Sequence, residues 1–461
     1  MVPMVESLDT MVPVVESLDA TGLWPGSVEA KRAGFGSAVS ALAERTGDAR
    51  IDVALFVPGR IEVLGKHTDY AGGRSLLCAA EQGFCLVARA RTDSRVVVTD
   101  ARTGESADTA LDPAIEPIPG QWSNYPATVT RRVARNFPDA RIGADLAFAS
   151  DLPPASGMSS SSALMIAVFL AIGNLNHLAR DSRFRSAVST AEELAAYLAT
   201  IENGNSFGVL AGDRGVGTFG GSEDHTAILC CRPGVLSQYR FAPVQRECEI
   251  RLPTGLTFVI ATSGIVAEKT GAALAAYNRA SRSAARVLEV WREATGRTDA
   301  TLERAVSSAP DAIARMREAL DKSVDEEFPA TTLRNRFEQF YAESREIIPA
   351  AGAALATGDL ARFGQLVDRS QHGAERWLGN QIAETMTLAH SARACGAVAA
   401  SAFGAGFGGS VWALVSADQG SHFCEQWSAT YRVAHPEAAS SATFFETHPG
   451  PSARQIASLD H

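Results

Sequence analysis

The stretch Pro58-Gly59-Arg60-Ile61-Glu62-Val63-Leu64-Gly65-Lys66-His67-Thr68-Asp69-Tyr70-Ala71-Gly72-Gly73 sets an arginine, a histidine and an aspartate among glycines directly after an apolar run. Val53 to Val57 reads as a strand. The glycines that follow predict a loop able to close around a polar small molecule. What the loop does depends on what the rest of the chain brings to it.

At 461 residues the chain exceeds what one hydrophobic core serves, which predicts two or more packed domains. A hydrophobic fraction of 46% with 20% charged residues is that of a globular protein. The longest apolar run, Ala163 to Ile172, is shorter than the roughly 20 residues of a membrane span and reads as a buried helix. The net charge of −10, with no basic cluster, excludes nucleic acid and anionic membranes as partners. Seven scattered cysteines without a CxxC pair point to a reduced, cytoplasmic setting.

The first residues lack a charged-then-apolar secretory pattern. They contain a duplication instead: Met1-Val2-Pro3-Met4-Val5-Glu6-Ser7-Leu8-Asp9 recurs as Met11-Val12-Pro13-Val14-Val15-Glu16-Ser17-Leu18-Asp19. Two copies of so short a unit build no solenoid, so residues 1–22 read as a disordered leader.

Further along, Ser27 to Thr46 suits a surface helix, and Cys85 to Ala90 and Val96 to Thr99 suit strands. A helix starts near Ser159 and another covers about Thr190 to Asn203. Seven glycines between Gly204 and Gly221 mark a loop, and a domain transition is placed just beyond it, giving domains 23–225 and 226–461. The second half offers strands at Leu256 to Ala261 and Val411 to Val415, with helices over Glu268 to Thr295 and Leu302 to Lys322. This irregular alternation predicts an α+β fold and not a doubly wound sheet.

Three more segments carry candidate chemistry. In Pro153-Pro154-Ala155-Ser156-Gly157-Met158-Ser159-Ser160-Ser161-Ser162-Ala163-Leu164, glycine and four serines open an apolar helix. Free N–H groups and the positive helix end there suit an anion; helix capping alone needs one serine. Glu202 ends an otherwise apolar stripe with Leu194 and Leu198. A buried carboxylate of that kind needs a partner, most simply an arginine in a structural ion pair. Gly220-Gly221-Ser222-Glu223-Asp224-His225-Thr226 follows the glycine loop, and, if it is extended, Asp224 faces away from Glu223 and His225. Ser401-Ala402-Phe403-Gly404-Ala405-Gly406-Phe407-Gly408-Gly409-Ser410 demands unusual backbone angles or close approach. The remaining histidines show no metal-ligand spacing.

Together these segments, in this order, resemble the galactokinases, the sugar-phosphorylating branch of the superfamily that also holds homoserine, mevalonate and phosphomevalonate kinases. The serine segment is similar to the superfamily's Pro-x-x-x-Gly-Leu-(Gly or Ser)-Ser-Ser-Ala phosphate loop, with Met158 for leucine and Ser162 for alanine. The resemblance implies a two-domain α+β kinase fold with the active site in the cleft between the domains. It implies ATP and Mg2+ as cofactors, with Gly157, Ser159, Ser160, Ser161, Gly406 and Gly408 near the nucleotide and Ser161 and Glu202 on the metal. Catalysis falls to Arg60, which meets the charge of the moving phosphoryl group, and to Asp224, which orients the sugar hydroxyl; a cation beside Asp224 makes it a weak base. Lys66, His67, Asp69 and Tyr277 contact the sugar.

The chain also departs from the family pattern. Lys66 stands where galactokinases usually have glutamate, Glu62 where asparagine is common, and Glu223 and His225 flank Asp224 in place of methionine and glutamine. Galactose or a close analogue is the implied substrate. A cationic Lys66 raises a uronic acid as the alternative, unless Lys66 merely pairs with Glu62. A catalytically silent sugar and ATP sensor is a third reading, opposed by the intact phosphate loop and aspartate.

Overall fold

The computed structural model describes residues 15–154, 156–265 and 271–456. Ala155, Glu268 to Thr270 and most of the duplicated leader lie outside them. Among the described residues two β-sheets carry the molecule. The larger is ordered β1 (Val15–Glu16), β13 (Arg454–Ile456), β2 (Val53–Leu64), β3 (Arg74–Ala90), β6 (Ala144–Ser150), β4 (Arg95–Asp100) and β5 (Ser106–Ala110), and a hairpin of β7 (Val235–Arg240) and β8 (Gln245–Arg251) pairs with the start of β3. The smaller is antiparallel, ordered β10 (Ala399–Phe403), β11 (Ser410–Ser416), β9 (Leu256–Thr262) and β12 (Phe444–Thr447). The α+β expectation stands, with mixed sheets and helices packed on them.

Strand β2 shows why its sequence is apolar at every step. Ala54 and Phe56 pack under helix α1 (Pro25–Thr46), against Phe35, Ala38 and Leu42. Val53, Leu55 and Val57 face the opposite core, where helix α3 (Ser160–Leu175) is buried from Ser162 to Ile172. Both faces of the strand are thus covered, and alternation disappears. Helix α2 (Asn124–Asn136) and, after the short α4 (Ser182–Ala187), helix α5 (Ala191–Asn203) complete that side. No helix among the described residues is long and apolar enough to cross a membrane.

Several expectations change. Strand β2 does not end at Val57 but runs to Leu64, so the first half of the signature is strand and the loop begins at Gly65. Register shifts at Pro58/Arg60 and Glu62/Leu64 accommodate the proline, which cannot donate to a regular ladder. Residues 15–22, assigned to the leader, instead form part of the fold: β1 pairs parallel with β13, and Leu18 is buried under α1 with Leu23 and Val28. The boundary drawn at 225/226 falls inside helix α6 (Glu223–Cys230), and the larger sheet continues to Arg251 before the smaller begins at Leu256. The helix read over Leu302 to Lys322 is two, Leu302–Val306 and Ala312–Asp321, separated by a stretch containing Pro310. Helix α7 (Gly271–Thr295) packs with them in a helical cluster of its own.

Candidate active site

A cavity of about 760 Å³ brings together strand β2, the serine segment, the end of α5, the start of α6 and the glycine loop before β11. Arg60 is its hub. Its Nε donates to Asp224 Oδ1 at 2.8 Å, across 164 positions of sequence, and its Nη1 donates to the carbonyl of Gly157 at 2.5 Å. Its guanidinium lies 5.8 Å from the Phe403 ring centroid. Burial works against this charge, but Asp224, Glu62 and Glu223 outweigh it and hold the Arg60 pKa above its ordinary value.

The serine segment is built for an anion. Ser159 is the N-cap of α3 with φ 61°, yet its side chain caps no backbone N–H. The serines therefore do not serve as ordinary caps. Gly157, Ser159, Ser160 and Ser161 all line the cavity at the open helix end. Glu202, 7% exposed and also on the wall, accepts from Ser162 Oγ at 2.7 Å and has His225 Nε2 3.6 Å away. The hydroxyl bonded to Glu202 is thus that of Ser162, one residue after the one singled out from sequence.

Asp224 is not on an extended segment. Glu223 and Asp224 form the acidic first turn of α6, and Glu223, Asp224 and His225 all reach the cavity wall, which alternation along a strand would forbid. Asp69 fixes that turn: its Oδ2 accepts from the backbone N–H of Glu223 at 3.1 Å, while the carboxyl lines the cavity and burial raises its pKa. His67 takes φ 58° and is held on both ring nitrogens, Nδ1 3.0 Å from Tyr70 Oη and Nε2 3.0 Å from the carbonyl of Ala405. The Tyr277 ring stands 5.3 Å from that of His67 and lines the cavity with it.

Two sequence expectations fail here. Lys66 does not line the cavity: it is 1% exposed, and its Nζ donates to Ser401 Oγ at 2.8 Å and to Ser370 Oγ at 3.5 Å. Neither is it engaged in a surface pair with Glu62. Gly406 and Gly408 are also absent from the wall. A Cβ at Gly406 would come within 2.3 Å of the Asn380 carbonyl, and one at Gly408 within 2.9 Å of the Ile265 carbonyl, so these glycines let loops approach each other. Gly404 and Ala405 of the same loop are the cavity residues.

Sequence reasoning passed over Asp100, Gln121, Trp122 and Tyr125, which also line the cavity. The two aromatics sit at a turn and helix start without periodic pattern, and only their position beside glycine and proline hinted at exposure.

Topology and site together define a small-molecule kinase of the GHMP class. Residues 124–213 match the GHMP kinase N-terminal domain, residues 351–433 the GHMP kinase C-terminal domain, and residues 41–90 the galactokinase galactose-binding signature. A galactokinase of Chloroflexus aggregans is 29% identical over 82% of this chain and 87% of its own length; one of a Roseiflexus species is 29% identical over 79% and 83%. The crystal structure of Lactococcus lactis galactokinase complexed with galactose has the same fold, with a TM-score of 0.71 and 23% identity over 91% of this chain and 98% of that one. The chain belongs to the galactokinase family of the GHMP kinase superfamily. It is accordingly a sugar kinase, a phosphotransferase with an alcohol group as acceptor and ATP as donor.

Proposed function

We propose that this protein transfers the γ-phosphoryl group of ATP to the anomeric hydroxyl of galactose or a close analogue. The observation that carries the reading is the 2.8 Å contact between Arg60 and Asp224 in a cavity that also holds the open N-terminus of α3. Phosphoryl transfer asks for positioning and charge stabilisation more than for covalent chemistry.

In this reading the backbone amides from Gly157 to Ser161 cradle the phosphates. Asp224 orients the nucleophilic hydroxyl, and Arg60 meets the charge spreading over the transferred group. His67, Asp69 and Tyr277 surround the sugar. Trp122 and Tyr125 supply flat apolar surfaces for the base. The oxygen donors Glu202 and the serine hydroxyls at 161 and 162 fit Mg2+, which prefers one or two protein oxygens together with substrate phosphates. When bound, Mg2+ supplies neutralisation of phosphate charge.

Galactose is favoured over a uronic acid because Lys66 is not among the residues lining the cavity, while Glu62, Asp69, Glu223 and Asp224 are. A substrate carboxylate beside Arg60 would also meet the carboxyl groups of Glu62, Asp69, Glu223 and Asp224.

The test is ATP turnover by the purified full chain on galactose, galacturonate, glucuronate and arabinose. Turnover on galactose above both uronates is expected; a preference for either uronate overturns the substrate assignment, and silence on all four favours the sensor.

A further inference from the structure

Glu62 and Glu223 are two departures from the galactokinase pattern that fall on a single contact. We propose that they are positioning residues, sharing one proton in a carboxyl–carboxylate contact that holds helix α6, and with it Asp224, against strand β2. The inference rests on the kinase reading above.

Arg60 and Glu62 lie two apart on β2, and both line the cavity; Glu223 and Asp224 are neighbours in the first turn of α6. Two contacts therefore join the same two elements side by side. In one, Arg60 meets Asp224 as opposite charges. In the other, the carboxyl groups of Glu62 and Glu223 face each other in the same wall, within reach of a hydrogen bond once either carries a proton. Ionised carboxylates only accept, so this bond exists only with a proton between them.

The surroundings are consistent with one retained proton. Glu62 is 2% exposed and Glu223 6%. Glu223 Oε2 accepts from Ser75 Oγ at 2.5 Å, and Glu62 Oε2 from the Gly404 N–H at 3.3 Å. Glu62 Oε1 is buried with no donor reaching it among the described residues, and a shared proton satisfies it. The charged groups facing the pair are Arg60, Lys66, Asp69, Asp224 and Glu343. Three carboxyl groups thus stand against two cations even before the pair ionises.

Burial is the main force retaining the proton: it raises the pKa of both Glu62 and Glu223 above the ordinary carboxylate value, that of Glu62 to about 7 against the pull of Arg60 and Lys66. Once the proton leaves, the contact becomes repulsive and pushes the first turn of α6, with Asp224, away from Arg60.

The test is kcat and KM of the full chain with ATP and galactose from about pH 6 to about pH 9, beside infrared spectra of its carboxyl region. The wild type is expected to lose about tenfold in kcat per pH unit on the alkaline side, with KM for ATP unchanged. Glu223→Gln, whose amide donates to Glu62 without titrating, flattens that limb, and so does Glu62→Gln. A protonated-carboxyl band titrates with the same midpoint in the wild type, and that component is lost or moved away from the midpoint in both variants. An alkaline limb that persists in both variants, or a wild-type spectrum lacking that band at neutral pH, overturns the proposal. Absence of turnover on any sugar at every pH defeats the kinase reading instead, and the infrared band then decides the pair by itself.

Discussion

The two halves of the cavity are made of different materials. In the proposed reading the nucleotide half uses a helix end, glycines and serine hydroxyls, with Glu202 as its carboxylate. In the same reading the sugar half uses Arg60, Glu62, Asp69, Glu223 and Asp224, all of which line the cavity. Backbone dipoles do not titrate and tolerate changes in neighbouring side chains; a set of buried charges works only as a whole. This chain changes only neutral residues of the family pattern in the first half, at Met158 and Ser162, and changes charge in the second, at Glu62 and Glu223.

The largest effect should come from breaking the charged half. Arg60→Ala and Asp224→Asn are each expected to reduce kcat by about 10³-fold, while ATP binding measured by calorimetry survives. Loss of ATP affinity would mean that the halves are not separable. Next, Lys66→Met leaves Glu343 and Glu62 short of a buried cation and is expected to cost about 3 kcal/mol in chemical denaturation. KM for the sugar should hardly move, because Lys66 is off the wall; a tenfold rise would return Lys66 to the substrate.

A third measurement sharpens the contrast through pH. The folded-state pKa of Glu62 lies above its ordinary value of 4.5, at about 7. Its stabilising share is present below the unfolded pKa and lost as pH rises through the folded one. Stability should therefore fall by on the order of 2–3 kcal/mol between about pH 4.5 and 7 relative to Glu62→Gln, read as the difference between two denaturation series. Equal pH dependence in both proteins would contradict it. The smallest effect belongs to the neutral half: Ser162→Ala removes one hydrogen bond to Glu202 and should cost about 1 kcal/mol with a raised Mg2+ requirement. A change in the pH profile of kcat instead would make the nucleotide half a titrating one.

The contrast also explains what could be read from the chain. Helix α3 was legible because it is apolar all round, and the serine segment because four serines exceed what a helix end needs. The convergence of Arg60 and Asp224 followed from the family resemblance, which orders the segments, and not from any periodicity. The extension of β2 was hidden because Pro58-Gly59 carries the signature of a turn, and only the paired strand reveals the irregular register that admits it. Lys66 illustrates a deeper limit. Nothing local says whether a lysine after a strand points to a cavity or inward, and the serines that receive it, Ser370 and Ser401, come from elements over 300 positions away. Gly406 and Gly408 were misassigned for a related reason: close approach predicts a glycine, but the approaching group can be another loop as well as a ligand.

The meeting of Gly157 and Gly404 has a thermodynamic consequence. A Cβ on Gly404 would lie 2.7 Å from the Gly157 carbonyl and one on Gly409 3.2 Å from that of Ser156, and Ser410 Oγ donates to the same Ser156 carbonyl at 2.6 Å. The two sheets meet along this seam at main-chain distance, pinned by the Ser410 hydroxyl and the Arg60 guanidinium. Heat should therefore melt both sheets in one calorimetric peak despite the length of the chain, and a ligand seated on one side of the seam should raise the melting point of the other.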